Sequence, residues 1–416
     1  MDLDPTLDDP DSDSSRDATR CSDSEFTTTT TTSIHTCNQS NEPDLSQTRP
    51  EIASENGLLA RIRQRDQAIR RRYESVSTTI PDVDAEMDKW YAMTDRYGFL
   101  ADEASERNDR QKEKEVERSE KWANMAARMV LHGEGVHTFT WHTKFTNRIY
   151  KGIPDCWRRD AWYYLCSDGL QQAKTDDKLR ETYADLLTRV TSHERQIDLD
   201  IPRTMHDHIM FRERYGSGQR ALFNVLRAFA NYDKDVGYCQ GMTNIAAMLL
   251  MYCEEEKAFL VLVHMFLRDK LHNLFIPGFP ALMESFFIQD TLVERYLPKL
   301  FRHLTDVGLS SDVYATRWYI TLFTGGVIRY HTLLRIWDIF FLCGFDIFYF
   351  ISVTLLKSYQ DQLLHGDLES CMKILGSTMA VPDDDKFIKT VRKLFERNVQ
   401  RDTIKTLRKQ YQSHTP

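Results

Sequence analysis

The chain has 416 residues, of which 41% are hydrophobic, 11% aromatic and 28% charged, a composition that describes a globular protein able to bury a large core. Its formal charge of −8 and the lack of a concentrated basic face argue against a nucleic-acid partner. The eight cysteines form no CxxC pair and no zinc-finger spacing, so neither a zinc module nor a disulfide framework is expected and the thiols read as reduced.

Residues 1–55 hold 13 acids and 3 bases, a formal charge of −10, together with the run "TTTTTT" from Thr27. Such a segment cannot bury enough apolar surface to offset its ordering entropy, so a disordered acidic tail is expected, and its start is unlike a signal peptide. Residues 56–144 are dense in mixed charge, as in "RIRQRDQAIRRR" and "RQKEKEVERSEKW", which predicts exposed helices. Only "VHTFTWH" (136–142) alternates like a strand. From about Phe145 the period is helical. Leu222, Val225, Leu226 and Phe229 share one helix face, and Ile245, Met248, Leu249 and Tyr252 repeat the spacing. The stretch "AFLVLVHMFL" (258–267) is apolar all round and predicts a buried helix. The longest apolar run, "IWDIFFLCGFDIFYFISVTLL" from Ile336, is broken by Asp338, Gly344 and Asp346, so it reads as buried helices and not as a transmembrane segment. In residues 346–416 the basic stretch 386–410 places Phe387, Val391, Leu394 and Phe395 at helical spacing. A helix packed on the domain with a solvated basic face is expected there, with peripheral membrane contact as the alternative. The chain reads as all-α.

Two stretches stand out. "RQIDLDIPRTMHDHIMF" (195–211) places Arg203 directly after Pro202, and "VGYCQGM" (236–242) brackets Tyr238, Cys239 and Gln240 between Gly237 and Gly241. Taken singly, Arg203 reads as a salt-bridged surface arginine and the second stretch as a helix-to-helix turn. Cys239 has no indicated base to make it a nucleophile. The histidines of "HDH" (206–208) and those at 132, 137 and 142 lack metal-ligand spacing, so no metal is expected.

Taken together, these stretches resemble the TBC domain, the family of GTPase-activating proteins for Rab GTPases. Ile197, Asp200, Arg203 and Thr204 match its I-x-x-D-x-x-R-T motif, and "YCQG" (238–241) matches its second signature. "KGIPDCWRRDAW" (151–162) resembles the opening element through Arg158 and Trp162, with Trp157 where leucine is common. "YATRWYITLF" (314–323) and "LRIWDIF" (334–340), with Arg335, Trp337 and Asp338, resemble the C-terminal elements in order and spacing. "DRYGFL" (95–100) and "RIYKGIP" (148–154) are similar to the RN-tre subgroup. His206 departs from the proline of many members, and "TGGVIRYH" (324–331) lacks a usual proline; both bear on loop geometry.

The resemblance implies a two-lobed helical domain with its core at 145–345, preceded by the charged helical extension 56–144 and followed by C-terminal helices at 346–416. It implies an activator that is not itself the hydrolase. Arg203 would be an arginine finger and Gln240 a glutamine finger, both inserted in trans into a GTP-bound Rab. Ile197, Asp200, Thr204, Tyr238, Cys239 and Gly241 would support them or touch the partner. No cofactor of its own is implied, since GTP and Mg²⁺ belong to the GTPase. The expected setting is cytoplasmic, at endosomal or Golgi membranes in vesicle traffic. The alternative within the same fold is a non-catalytic adaptor that binds a Rab or another trafficking partner.

Overall fold

In a computed structural model of the chain, residues 55–75, 93–100 and 109–414 are described. The expected acidic tail falls outside the described residues up to position 54. The remainder is a helical assembly, and its only sheet among the described residues is a hairpin pairing Ala126–Leu131 with Glu134–Phe139 in antiparallel register. The alternation at 136–142 marks the second strand, which ends at Phe139.

The apolar periods become the core. Leu222, Val225, Leu226 and Phe229 are all buried on the helix Ser217–Tyr232, which packs against Met242–Leu250 and Glu255–Arg268. The all-apolar stretch is buried from Ala258 to Phe266, but Leu267 is exposed as its helix reaches the surface. The run from Ile336 divides into Tyr330–Cys343 and Ile347–Ser358, with Gly344 at φ 79° stopping the first helix in a conformation that a side chain would strain. No helix among the described residues is long and apolar enough to cross a membrane. The basic helix Asp384–Val399 buries Phe387, Val391 and Leu394 against Tyr330–Cys343 and Ile347–Ser358.

Helices between 143 and 268 form one group and those between 280 and 414 a second, with Tyr330–Cys343 packed on members of both. A buried ion pair fixes that junction. The Asp338 carboxylate is fully buried and accepts from Arg158 Nε at 3.1 Å, Trp162 Nε1 at 3.0 Å and the Ile153 backbone N–H at 2.9 Å. Trp337 donates its indole N–H to the Leu322 carbonyl at 3.0 Å, and Arg335 donates to the Tyr150 carbonyl at 2.9 Å while covering Gly152. The contacts of Asp338 and Arg335 with residues 150–162 register the opening element against the C-terminal one, across more than 170 positions of sequence.

The charged extension departs from the expectation of exposed helices. On the helix Glu55–Glu74, Asp66, Ile69 and Tyr73 are buried, and on Asp109–Ala123 so is Trp122. One narrow stripe at i, i+3 and i+7 suffices to dock a helix whose other faces stay charged.

Candidate functional site

The arginine stretch is a seven-residue helix, Glu194–Asp200, continued by a tight turn, Ile201–Arg203. Pro202 lies in the first turn of that segment, where its fixed φ costs nothing and its missing N–H is not needed. Ile197 and Ile201 are fully buried and hold the segment on the core. Arg203 then leaves the turn with its side chain 56% exposed, held by one contact to the Asp200 carboxylate at 2.5 Å.

The glycine-bracketed stretch is a turn that opens the helix Met242–Leu250. Gly237 has φ 59°, and a Cβ there would lie 2.3 Å from the His193 ring, just before the arginine helix. Gly241 caps the helix at φ 106°, against Ile320 of the helix Ser311–Ile320. Neither position has room for a side chain. Between them Tyr238 turns inward, Cys239 is half-buried, and Gln240 is exposed. The Gln240 amide forms no hydrogen bond with the described residues.

Asp200 joins the two loops. Its carboxylate is 1% exposed; one oxygen accepts from Arg203 and from Gln196 (3.0 Å), and the other accepts from the Tyr238 hydroxyl at 2.5 Å. Its backbone carbonyl accepts from the buried Thr204 hydroxyl at 2.8 Å. Burial and the bond to Asp200 push the Tyr238 phenol well above its ordinary range, so it remains a donor at any physiological pH. A buried charge must be paired and hydrogen-bonded, and here the pairing is done by both signature loops at once.

This arrangement does not activate a nucleophile. Burial pushes the Cys239 thiol up to about 11, with the Asp200 charge adding to the effect, so the thiol stays protonated. The histidines also resolve into local partners. His208 is buried, which lowers its pKa; its Nε2 meets the Tyr97 carbonyl at 2.9 Å and its Nδ1 accepts from the Met210 N–H. His137 pairs with Asp160, His132 with Asp177, and His142 caps the helix Thr143–Tyr150. Among the described residues, Asp233, Asp235 and His272 form the one group whose ligand atoms lie within 4.8 Å of one another. The two aspartates follow the end of the helix Ser217–Tyr232, His272 opens the short helix His272–Phe275, and His272 is already hydrogen-bonded to Asp233 at 2.7 Å. A cavity of about 430 Å³, lined by Arg268, Asp269, Glu284, Tyr349 and Arg408 among others, contains none of the signature residues. What the two loops offer is a tethered permanent cation and a neutral amide on the outer surface. That is chemistry for acting on something docked there.

Sequence reasoning missed how the arginine helix is held from outside. Arg70 and Tyr73 reach it from Glu55–Glu74, and Arg214 reaches it from beyond the loop. Their signal was faint, because in a charge-dense stretch a structural arginine looks like its solvated neighbours.

Residues 155–364 match the model of the Rab-GTPase-TBC domain. A TBC domain-containing protein of Schizosaccharomyces pombe is 36% identical over 302 residues, 71% of each chain. A human ecotropic viral integration site 5 protein homolog is 30% identical over 263 residues, 63% of this chain and 32% of that one. The Rab GTPase-activating protein tbc-11 of Caenorhabditis elegans is 34% identical over 230 residues, 55% of this chain and 24% of that one. The chain thus spans most of the yeast relative but only about a quarter to a third of the other two. Among solved structures, the Chlamydomonas flagellar RabGAP TBC domain superposes with a TM-score of 0.58 at 24% identity, covering 71% of this chain and 98% of that one. The Ypt/Rab-GAP domain of Gyp1p gives 0.57 at 19%, covering 69% and 99%. At such identities the two crystal structures speak for the fold, which is the all-α one expected. With half of its length matched, and 36% identity to the yeast relative over 71% of both chains, the chain belongs to the RabGAP-TBC family.

Proposed function

We propose that this protein accelerates GTP hydrolysis on a Rab-family GTPase by inserting Arg203 and Gln240 into the partner's nucleotide site. The observation that carries this is the buried Asp200 carboxylate, which ties the exposed arginine and the exposed-glutamine turn to one point. Hydrolysis needs charge neutralised on the transferring phosphoryl group and a water held in line. Arg203 supplies a permanent charge in a planar fork that lysine cannot reproduce. Gln240 supplies a neutral donor and acceptor that orients water without taking its proton. GTP and Mg²⁺ are the partner's, and the chain contributes only positioned groups. In Ras GTPases an arginine supplied in trans is worth about 10³- to 10⁵-fold in rate. The likeness of "DRYGFL" and "RIYKGIP" to the RN-tre subgroup supports our further proposal that it works in vesicle traffic at the cytoplasmic face of endosomal or Golgi membranes.

The test is single-turnover hydrolysis across a panel of GTP-loaded Rabs, with wild type, Arg203→Ala and Gln240→Ala. Wild type should stimulate at least one Rab, and each variant should lose most of the stimulation while still binding. The same Rab with its own switch glutamine replaced by leucine should still respond to wild type and not to Gln240→Ala, because Gln240 takes over the water. Should the leucine-substituted Rab resist while the normal one responds strongly, Gln240 is only part of a turn. Stimulation unaffected by Arg203→Ala removes the arginine finger.

A further inference from the structure

The finger helix is too short to hold itself. Seven residues form a marginal helix in water, so the direction in which Arg203 emerges depends on what grips Glu194–Asp200. Part of that grip comes from outside the matched domain. Glu194 and Asp198 lie four residues apart and share a face, and Arg70 and Tyr73 lie three apart on the helix Glu55–Glu74. The two faces meet. Arg70 donates its Nε to both Glu194 oxygens at 3.0 and 2.9 Å and its Nη2 to one of them at 2.6 Å, while Glu194 is fully buried. The Tyr73 hydroxyl donates to Asp198 at 2.9 Å, which Arg214 also reaches at 2.6 Å. Tyr73 is itself fixed, its ring stacked on Phe223 at 4.3 Å.

Two contacts one helical turn apart prevent both sliding and rolling of the finger helix. Apolar side chains would bury the same face without the desolvation cost of two carboxylates, but they would not set its register. The far side of the loop is held by backbone hydrogen bonds from the segment before the family match. Phe99 bridges to His208, the Leu100 N–H donates to the Asp207 carbonyl at 2.9 Å, and the Ile209 N–H donates to the Gly98 carbonyl at 3.0 Å. Both braces precede residue 155, where the family match begins.

We propose that the helix Glu55–Glu74 is part of the catalytic apparatus, with Arg70 and Tyr73 as positioning residues that set the emergence of Arg203. This rests on the reading of Arg203 as the inserted residue. The probe is Tyr73→Phe in the full chain, which keeps the ring stack and removes only the hydroxyl. Single-turnover hydrolysis at saturating activator should slow about tenfold, the scale of one hydrogen bond to a charged group. Affinity for the Rab loaded with a non-hydrolysable GTP analogue should stay within about twofold and Tm within about 3 °C, because the buried ring keeps its packing and Asp198 keeps Arg214 as a partner. In an Arg203→Ala background the same substitution should change the rate by less than about twofold, since a residue acting through Arg203 has nothing left to position. An unchanged rate, a loss that adds fully to that of Arg203→Ala, or a loss that merely follows a falling Tm overturns the proposal. Failure of wild type to stimulate any Rab defeats the functional reading instead. Hydrogen exchange on the protein alone then decides: acceleration confined to amides 194–204 in Tyr73→Phe upholds the brace, and unchanged exchange overturns it.

Discussion

Replacing Asp200 in two ways should separate positioning from stability. Asp200→Ala removes the acceptor for three donors and leaves the buried Tyr238 hydroxyl without its carboxylate. A stranded buried donor costs about 1–3 kcal/mol, and with the other lost bonds roughly 3 kcal/mol is expected. In a chain this large that lowers Tm by about 6 °C. Asp200→Asn is gentler. With its carbonyl oxygen toward Arg203 and Gln196 and its amide toward the Tyr238 oxygen, only the Tyr238 O–H loses its acceptor, and that loss is offset because the charge no longer needs burying. Stability should therefore stay within about 1 kcal/mol. Arg203 is nevertheless held by a neutral acceptor, roughly 1 kcal/mol weaker, an amount discounted because its side chain is 56% exposed. The rate should fall about fivefold at most for Asn and more than tenfold for Ala. Thermal melting with single-turnover hydrolysis on the best-stimulated Rab measures both. If Asp200→Asn keeps the full rate, or if the two variants behave alike in both measurements, Asp200 does not link the loops in the way described.

Arg203→Lys keeps the charge but loses the fork, so its single-turnover rate should fall nearly as far as that of Arg203→Ala, within about threefold. Asp338→Ala leaves the buried Arg158 with only the part-exposed Asp155 as partner and strands the Trp162 and Ile153 N–H groups, and should cost about 3–5 kcal/mol, read as a large drop in Tm or loss of soluble protein. Lys257 is pulled down from its ordinary value to about 8 by burial, despite the nearby Asp176. Above pH 8 the folded state has released that proton while the unfolded state holds it up to about 10.5, so this group's contribution to stability rises with pH across that window. Melting from pH 7.5 to 9.5 should show a rise in wild type that Lys257→Met lacks. A chain begun at Gly57 keeps Arg70 and Tyr73 and should activate as well as the full chain, whereas one begun at residue 76 should lose rate more than affinity.

The contrast between legible and illegible features follows from the range of the interactions. Helical periods are local, so the buried faces of Ser217–Tyr232 and Met242–Leu250 could be read directly from spacing, although Tyr252, expected on the second face, falls beyond that helix and is only half-buried. The break in the long apolar run was equally plain, because Gly344 acts on its own backbone. The two signature stretches were conspicuous for the same reason: Pro202, Gly237 and Gly241 restrict or free the chain at their own positions. Long-range pairing left no such mark. Nothing in the sequence said that Asp200 would accept from Tyr238, 38 residues on, or that Asp338 would face Arg158 across 180 residues. Nor did "RIRQRDQAIRRR" distinguish Arg70, which grips Glu194, from the arginines beside it. A charge shows its partner only once the chain has folded it against one. The sequence alone therefore determined the main helices and the family, and it nominated Arg203 and Gln240 as the candidate site residues. Which of those residues touch, and which helix holds the arginine in place, was decided by the tertiary structure, because burial turns an ordinary charged side chain into a contact that must be satisfied.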